Sequence, residues 1–150
     1  MYEIKFTVPG DPVPQGRPRA TSKGGMTKLY DPPASREYKK LVKAYASKNR
    51  PPELIEGYIE VEMLIYKRSL KSFSKKKIAE AEAGFLRPKT KPDADNYAKG
   101  ILDAMKGIIW QDDGQVTDLI ARKYYSANPR AEIVIRPLGG VQESLFKNSR

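Results

Sequence analysis

The stretch 91-KPDADNYAKGILDAMKGIIWQDDGQV-116 decides how this chain is read. From Asp95 onward, Tyr97, Ala98, Ile101, Leu102, Ala104, Met105, Ile108 and Ile109 recur at the helical period and define one apolar arc. Asp95, Asn96, Lys99, Asp103 and Lys106 fall on the opposite arc, with Asp95, Lys99 and Asp103 stacked at i, i+4 and i+8. Pro92 biases the residue before it toward extended backbone, and Asp93 or Asp95 is placed to cap the first turn. After Gly107, Asp112-Asp113-Gly114 predicts a turn feeding a strand that begins near Gln115. A helix start and a strand start therefore both carry acids.

Taken singly, these acids have ordinary roles. Aspartate at a helix start suits the dipole, Asp95–Lys99 and Lys99–Asp103 are stabilising helix pairs, and Asp-Asp-Gly is common turn chemistry. Taken together they raise a second reading. If the turn folds back beside the helix start, Asp93, Asp95 and Asp113 converge. Carboxylates ~4 Å apart at an effective dielectric of about 20 repel by roughly 4 kcal/mol per pair. Lys99 offsets part of that, and a divalent cation would offset far more. All-oxygen ligands favour a hard ion, so Mg²⁺ or Mn²⁺ is the expectation. Spacing alone leaves both readings open.

These residues meet a known pattern. KPDADNYAKGILDA followed by WQDDGQV resembles the RusA family of Holliday junction resolvases, in which a D-x-D-N-x-x-K helix start and a later D-D-x-Q-[VI] segment build the active site. The resemblance places the metal-binding acids at Asp93, Asp95 and Asp113 and the catalytic lysine at Lys99, with Asp103 and Asp112 at further acidic positions. Near the N-terminus, VPGDPVPQGRPRAT resembles the family's Gly/Pro segment ending in R-P-R. The resemblance implies a homodimer acting on four-way DNA junctions, with symmetric nicks from paired sites. A two-fold symmetric substrate suits such a dimer.

The rest of the chain bounds the chemistry. Twenty-eight Lys and Arg stand against 18 Asp and Glu, for a net charge of +10. The excess is uneven: residues 1–50 hold 11 bases and 4 acids, whereas residues 101–150 hold 7 and 6. An acidic site beside basic surface suits a metal-dependent nuclease, although basic composition alone is often only solvating. No cysteine and no histidine leave carboxylates, lysine, hydroxyls or a metal to carry any hydrolysis. The start MYEIKF has no apolar signal core and no run is long enough to span a bilayer, so the expectation is a cytoplasmic protein with no membrane partner.

Residues 2–8 alternate as a first strand, and the Gly- and Pro-rich residues 9–30 predict a basic loop carrying Arg17, Arg19, Lys23 and Lys28. A helix is expected over residues 33–48 and a strand over residues 55–66, with Glu60 and Glu62 facing outward. A second basic run carries Lys67, Arg68, Lys71, Lys75, Lys76 and Lys77 into a short helix ended by Gly84. Phe73, Phe85 and Leu86 are candidates to wedge between bases at a branch point, but buried packing is the expectation for each. Strands over residues 116–125 and 131–136 read as partners across an Asn128-Pro129 turn, and residues 137–150 as a tail.

The order argues for one α+β domain over residues 1–136, a small, largely antiparallel or mixed sheet backed by helices. With the resemblance, the expected function is a Mg²⁺-dependent, structure-selective DNA endonuclease that resolves Holliday junctions by paired symmetric nicks. Lys99, among acids, should stay protonated and stabilise charge on the phosphate. The rivals are a related nuclease for flaps or other branched DNA, a non-catalytic nucleic-acid-binding module, and an interaction protein.

Overall fold

Alternation of Ile4, Phe6 and Val8 with Lys5 and Thr7 produces the first strand, β1 (Ile4–Pro9), with its apolar face buried. The computed structural model describes residues 2–139, without the side chain of Lys23. Most of the expected tail therefore lies outside the described residues. After β1 come β2 (Arg19–Lys23), β3 (Met26–Tyr30), α1 (Pro33–Lys48), β4 (Tyr58–Arg68), α2 (Lys75–Glu82), α3 (Ala94–Met105), β5 (Val116–Ser126) and β6 (Arg130–Gly139). This is the expected α+β class with a mixed sheet, and β6 runs three residues past Arg136.

The main sheet has the order β1-β6-β4-β5, antiparallel except for the parallel pair β4–β5. Two expectations are corrected here. β6 does not pair with β5, because β4 lies between them. The physical reason is burial: Ile59, Val61, Met63 and Ile65 of β4 are fully buried, whereas the first half of β5 is mostly exposed. The most apolar strand takes a central place and β5 becomes an edge. A parallel pair needs a long crossover, and α2, a loop and α3 supply it.

The second correction concerns residues 9–30. They are not loop throughout: β2 and β3 form a separate antiparallel hairpin, in register from Arg19↔Tyr30 to Lys23↔Met26. Its two-residue turn is Gly24-Gly25, both at positive φ (61° and 79°), as a tight hairpin turn of this kind requires.

One sheet face carries Ile4, Phe6, Val8, the four β4 residues, Ala131, Ile133 and Ile135. Tyr38, Val42 and Ala46 of α1 and Tyr97, Ala98, Ile101, Ala104 and Met105 of α3 join the same core. The other face is mixed, with Leu64, Tyr66, Ile120 and Val134 among charged side chains. Arg136 there bridges Glu60 at 2.6 Å, Glu62 at 2.9 Å and Glu3 at 3.0 Å, and Arg122 also pairs with Glu62. As expected, Glu60 and Glu62 point away from the helices. Among the described residues, no helix is long and apolar enough to cross a membrane.

The Arg136 guanidinium beside Glu62, with Arg122 adding to it, holds this carboxyl below the usual glutamate range against the opposing effect of burial. A lowered native value contributes stability above the unfolded value, and that stability is lost as pH falls through the native one. E62Q should therefore lower the thermal midpoint by a few degrees at pH 7, with the gap to wild type closing as the carboxyl protonates in acid. A gap that persists at pH 2 in thermal melts would contradict this.

Candidate active site

The apolar arc of α3 seals against the sheet, so its other arc must face outward. Asp93 occupies the N-cap, yet its side chain makes no capping bond; its backbone carbonyl accepts the Asn96 and Tyr97 N–H groups instead. Asp95 follows in the first turn, and both residues are exposed. Among the described residues neither carboxylate has a hydrogen-bonding or ion-pair partner. The capping role that sequence allows Asp93 is thus not realised. The segment before the helix is held from the sheet: Lys123 Nζ donates to the carbonyls of Thr90 (2.8 Å) and Pro92 (3.0 Å).

The helix stops at Met105, so Ile108 and Ile109 lie beyond it although they fall on the predicted arc. Gly107, at φ 83°, turns the chain, and Trp110 is fully buried behind it. A buried indole N–H needs an acceptor. Trp110 Nε1 donates to Asp113 Oδ1 at 2.8 Å, which fixes one oxygen of the half-buried Asp113. The acidic turn is a short 3₁₀ helix (Asp113–Gln115) with a reciprocal cap. Asp112 accepts from the Gly114 N–H, while Gln115 Oε1 accepts from the Gln111 and Asp112 N–H groups. Gln115 Nε2 then donates to the carbonyls of Ile55 (2.7 Å) and Gly57 (3.1 Å), bolting the turn to the approach of β4. Asp112 is therefore a capping residue here.

The expected pairs of Lys99 with Asp95 and Asp103 are not formed among the described residues. Asp103 pairs instead with Lys39 of α1, whose Nζ sits 2.8 Å from Asp103 and 2.8 Å from Asp31. Burial opposes the charge on Lys39, but the two carboxylates outweigh it and raise its pKa above the usual lysine value. Lys39 ties the two helices to the hairpin root. Gln15 joins the same network, its Nε2 donating to Asp31 at 3.1 Å and its backbone N–H to the Asn96 carbonyl at 3.0 Å. Gly16 passes so close that a Cβ there would lie 2.8 Å from Pro32 and Ser35. The result is a cleft of about 320 Å³ in which Arg17, Lys99 and Asn96 share a wall with Lys39 and Asp103.

The family described as Endodeoxyribonuclease RusA matches residues 9–136. The chain belongs to the RusA family. The matched span includes the Arg17 segment, both acidic motifs and all but the last three residues of β6. A Bacillus subtilis (strain 168) relative, "Uncharacterized protein YqaN", is 47% identical over 135 residues, covering 89% of this chain and 95% of its own length. RusA membership makes the chain a nuclease-family hydrolase.

Within this RusA-family fold, the donor chemistry suits a hard divalent cation. Asp93 and Asp95 are unpaired oxygen donors two residues apart, and Asp113 has one oxygen fixed by an indole. The three acids expected to converge, Asp93, Asp95 and Asp113, do not form a cluster: among the described residues no three acidic, histidine or cysteine side chains are grouped to hold a metal. Magnesium rarely requires such a group, because one or two carboxylates with water and substrate phosphates usually suffice.

The basic residues divide by task. Arg17 lines the cleft, while Arg19 and Lys28 share the hairpin face that carries Tyr30, by strand register. Lys71, Lys75, Lys76 and Lys77 are exposed. Arg68 instead forms a two-pronged pair with Asp11, both bonds 3.2 Å, and Lys67 Nζ donates to the Lys91 carbonyl at 3.4 Å. The Lys23 side chain lies outside the described part. Sequence reasoning gave no bonding role to Lys39, Asp31, Gln15, Trp110 or Gln115, although Trp110 and Gln115 stand in the WQDDGQV motif.

K39M should cost about 1–2 kcal/mol in chemical denaturation, since charge-assisted bonds to Asp31 and Asp103 are lost and solvent screens part of the loss. K39R should recover most of it. Equal stability of K39M and wild type would remove the bridge from this account.

Proposed function

We propose that this chain is a Mg²⁺-dependent, structure-selective DNA endonuclease that resolves Holliday junctions by paired symmetric nicks. Two copies, one per symmetry-related cut, form the working unit, and Mn²⁺ substitutes for Mg²⁺. As an enzyme of recombination and repair it works on DNA in the cytoplasm. The observation that carries this reading is the state of Asp93 and Asp95: exposed, without protein partners, and mounted on a helix whose far side is core. Carboxylates kept for helix capping would be bonded to backbone, as Asp112 is.

Asp93, Asp95 and Asp113 would hold the ion. A bound Mg²⁺ supplies Lewis acidity at the scissile phosphate and a lowered pKa for the attacking water. The protein's own groups do the rest. Lys99, which lines the cleft and whose neighbour Asp103 is held by Lys39, would set its ammonium against the charge that builds on the phosphate. Arg17 in the same cleft holds the strand by a fork suited to phosphate oxygens. The indole of Trp110 holds one oxygen of Asp113, which leaves the other oxygen for the ion.

D95N removes a charged ligand while keeping shape. It should lower junction cleavage by at least ~100-fold, beyond what loss of a supporting partner around a metal costs. Junction binding in a gel-shift assay should be preserved or tightened, because repulsion between the acid and DNA is relieved. A D95N protein that cuts at the wild-type rate would reject the assignment.

A further inference from the structure

Several large apolar side chains stand outside the core, among them Met26 and Leu29 on the hairpin, and one of them is also a candidate wedge. Of the three candidate wedge residues, Phe73 is half-buried with its ring edge-on to Tyr125 at 5.1 Å, and Leu86 is half-buried. Phe85 is 86% exposed, the most exposed of the large apolar side chains among the described residues. The expectation of buried packing is overturned for this residue alone.

Its exposure is built by the backbone. The Phe85 N–H donates to the Glu80 carbonyl at 2.9 Å and the Gly84 N–H to the Ala81 carbonyl at 3.0 Å, with Gly84 at φ 82°. This is the Schellman ending of a helix, in which the apolar residue after the glycine usually folds back on the last turn. Here that position of the helix is Glu80, and Phe85 is left outside. The segment behind it is anchored. Gly84 lies against the Tyr124 ring, Arg87 stacks on the same ring at 4.3 Å, and Arg87 Nε donates to the Lys123 carbonyl at 2.8 Å.

The surroundings choose the partner. Residues 84–91 carry Arg87, Lys89 and Lys91 and no acid, and the exposed Lys75, Lys76 and Lys77 lie at the start of the same helix α2. Asp93 is eight positions on from Phe85, so eight residue steps join them. Fully extended they would span roughly 28 Å. Shared contacts with Lys123 and Tyr124 draw the two ends closer than that. An exposed aromatic face on an anchored backbone, with Glu80 and Glu82 on its helix side and Arg87, Lys89 and Lys91 on the other, within one tether of the acids, fits a nucleobase whose own face is open.

We propose that Phe85 stacks on an unstacked base at the branch point and gives this nuclease its preference for branched over linear DNA, an inference that rests on the function proposed above. A continuous duplex buries both faces of every base, so the ring has nothing to stack on. At a branch, stacking interrupts and a face becomes free.

The test measures binding of a synthetic four-way junction and a sequence-matched linear duplex in EDTA, for wild type, F85A and F85W. F85A should weaken junction binding roughly tenfold, with duplex binding and thermal unfolding unchanged. F85W should keep the preference, and its added indole should be quenched by the junction but not by the duplex, with buried Trp110 as a constant background. Junction binding by F85A equal to wild type, or equal quenching by both DNAs, would overturn the wedge while leaving the nuclease reading intact wherever wild type still cuts in Mg²⁺. Failure of wild type to bind or cut any DNA would remove both. A change of F85A from dimer to monomer in sedimentation would assign the ring to a contact between copies and likewise overturn the proposal.

Discussion

Burial of one face of α3 is the constraint on which the site depends. Tyr97, Ala98, Ile101, Ala104 and Met105 have no accessible surface to spare, so the helix can neither rotate nor slide without opening the core. Everything polar on that helix is thereby aimed at solvent. Asp93 and Asp95 receive fixed positions from a packing requirement rather than from bonds of their own. That leaves their carboxylates unspent.

Two further devices serve the same end. The DDGQ turn is a bonded unit in which Asp112 and Gln115 satisfy backbone groups, leaving Asp113 to the indole of Trp110. Lys39 holds Asp103 and pins the Gln15–Asp31 hairpin root to α3, and Arg17 lines the same cleft as Lys99. Acids of one motif are thus sorted by their neighbours: some into structural bonds, others left free for chemistry.

The sequence made much of this legible. The 3.6-residue arc located α3, alternation located β1 and β4, and the stacking of Asp95, Lys99 and Asp103 singled out the outward helix face. The failures have physical causes. The partner of β6 depends on which strand buries most, a property of the assembled sheet that a short Asn128-Pro129 turn does not encode. The β2–β3 hairpin did leave a signal, Gly24-Gly25 between extended residues, but the surrounding prolines masked it. Helix spacing suggested Lys99–Asp103, whereas a lysine 64 positions away in the chain won the contact. Local pattern carries no information about such a competitor. Phe85 was misjudged because apolar character predicts burial on average, and the exception arises from a helix ending.

The central claim is that the free carboxylates serve metal-dependent cutting of branched DNA. It is tested most directly by incubating the protein with an immobile four-way junction and with the matched duplex, in Mg²⁺ and in EDTA, and mapping cuts on every strand. The account predicts symmetric, Mg²⁺-dependent nicks near the branch and none in the duplex. Tight junction binding with no cleavage in either Mg²⁺ or Mn²⁺ would contradict it.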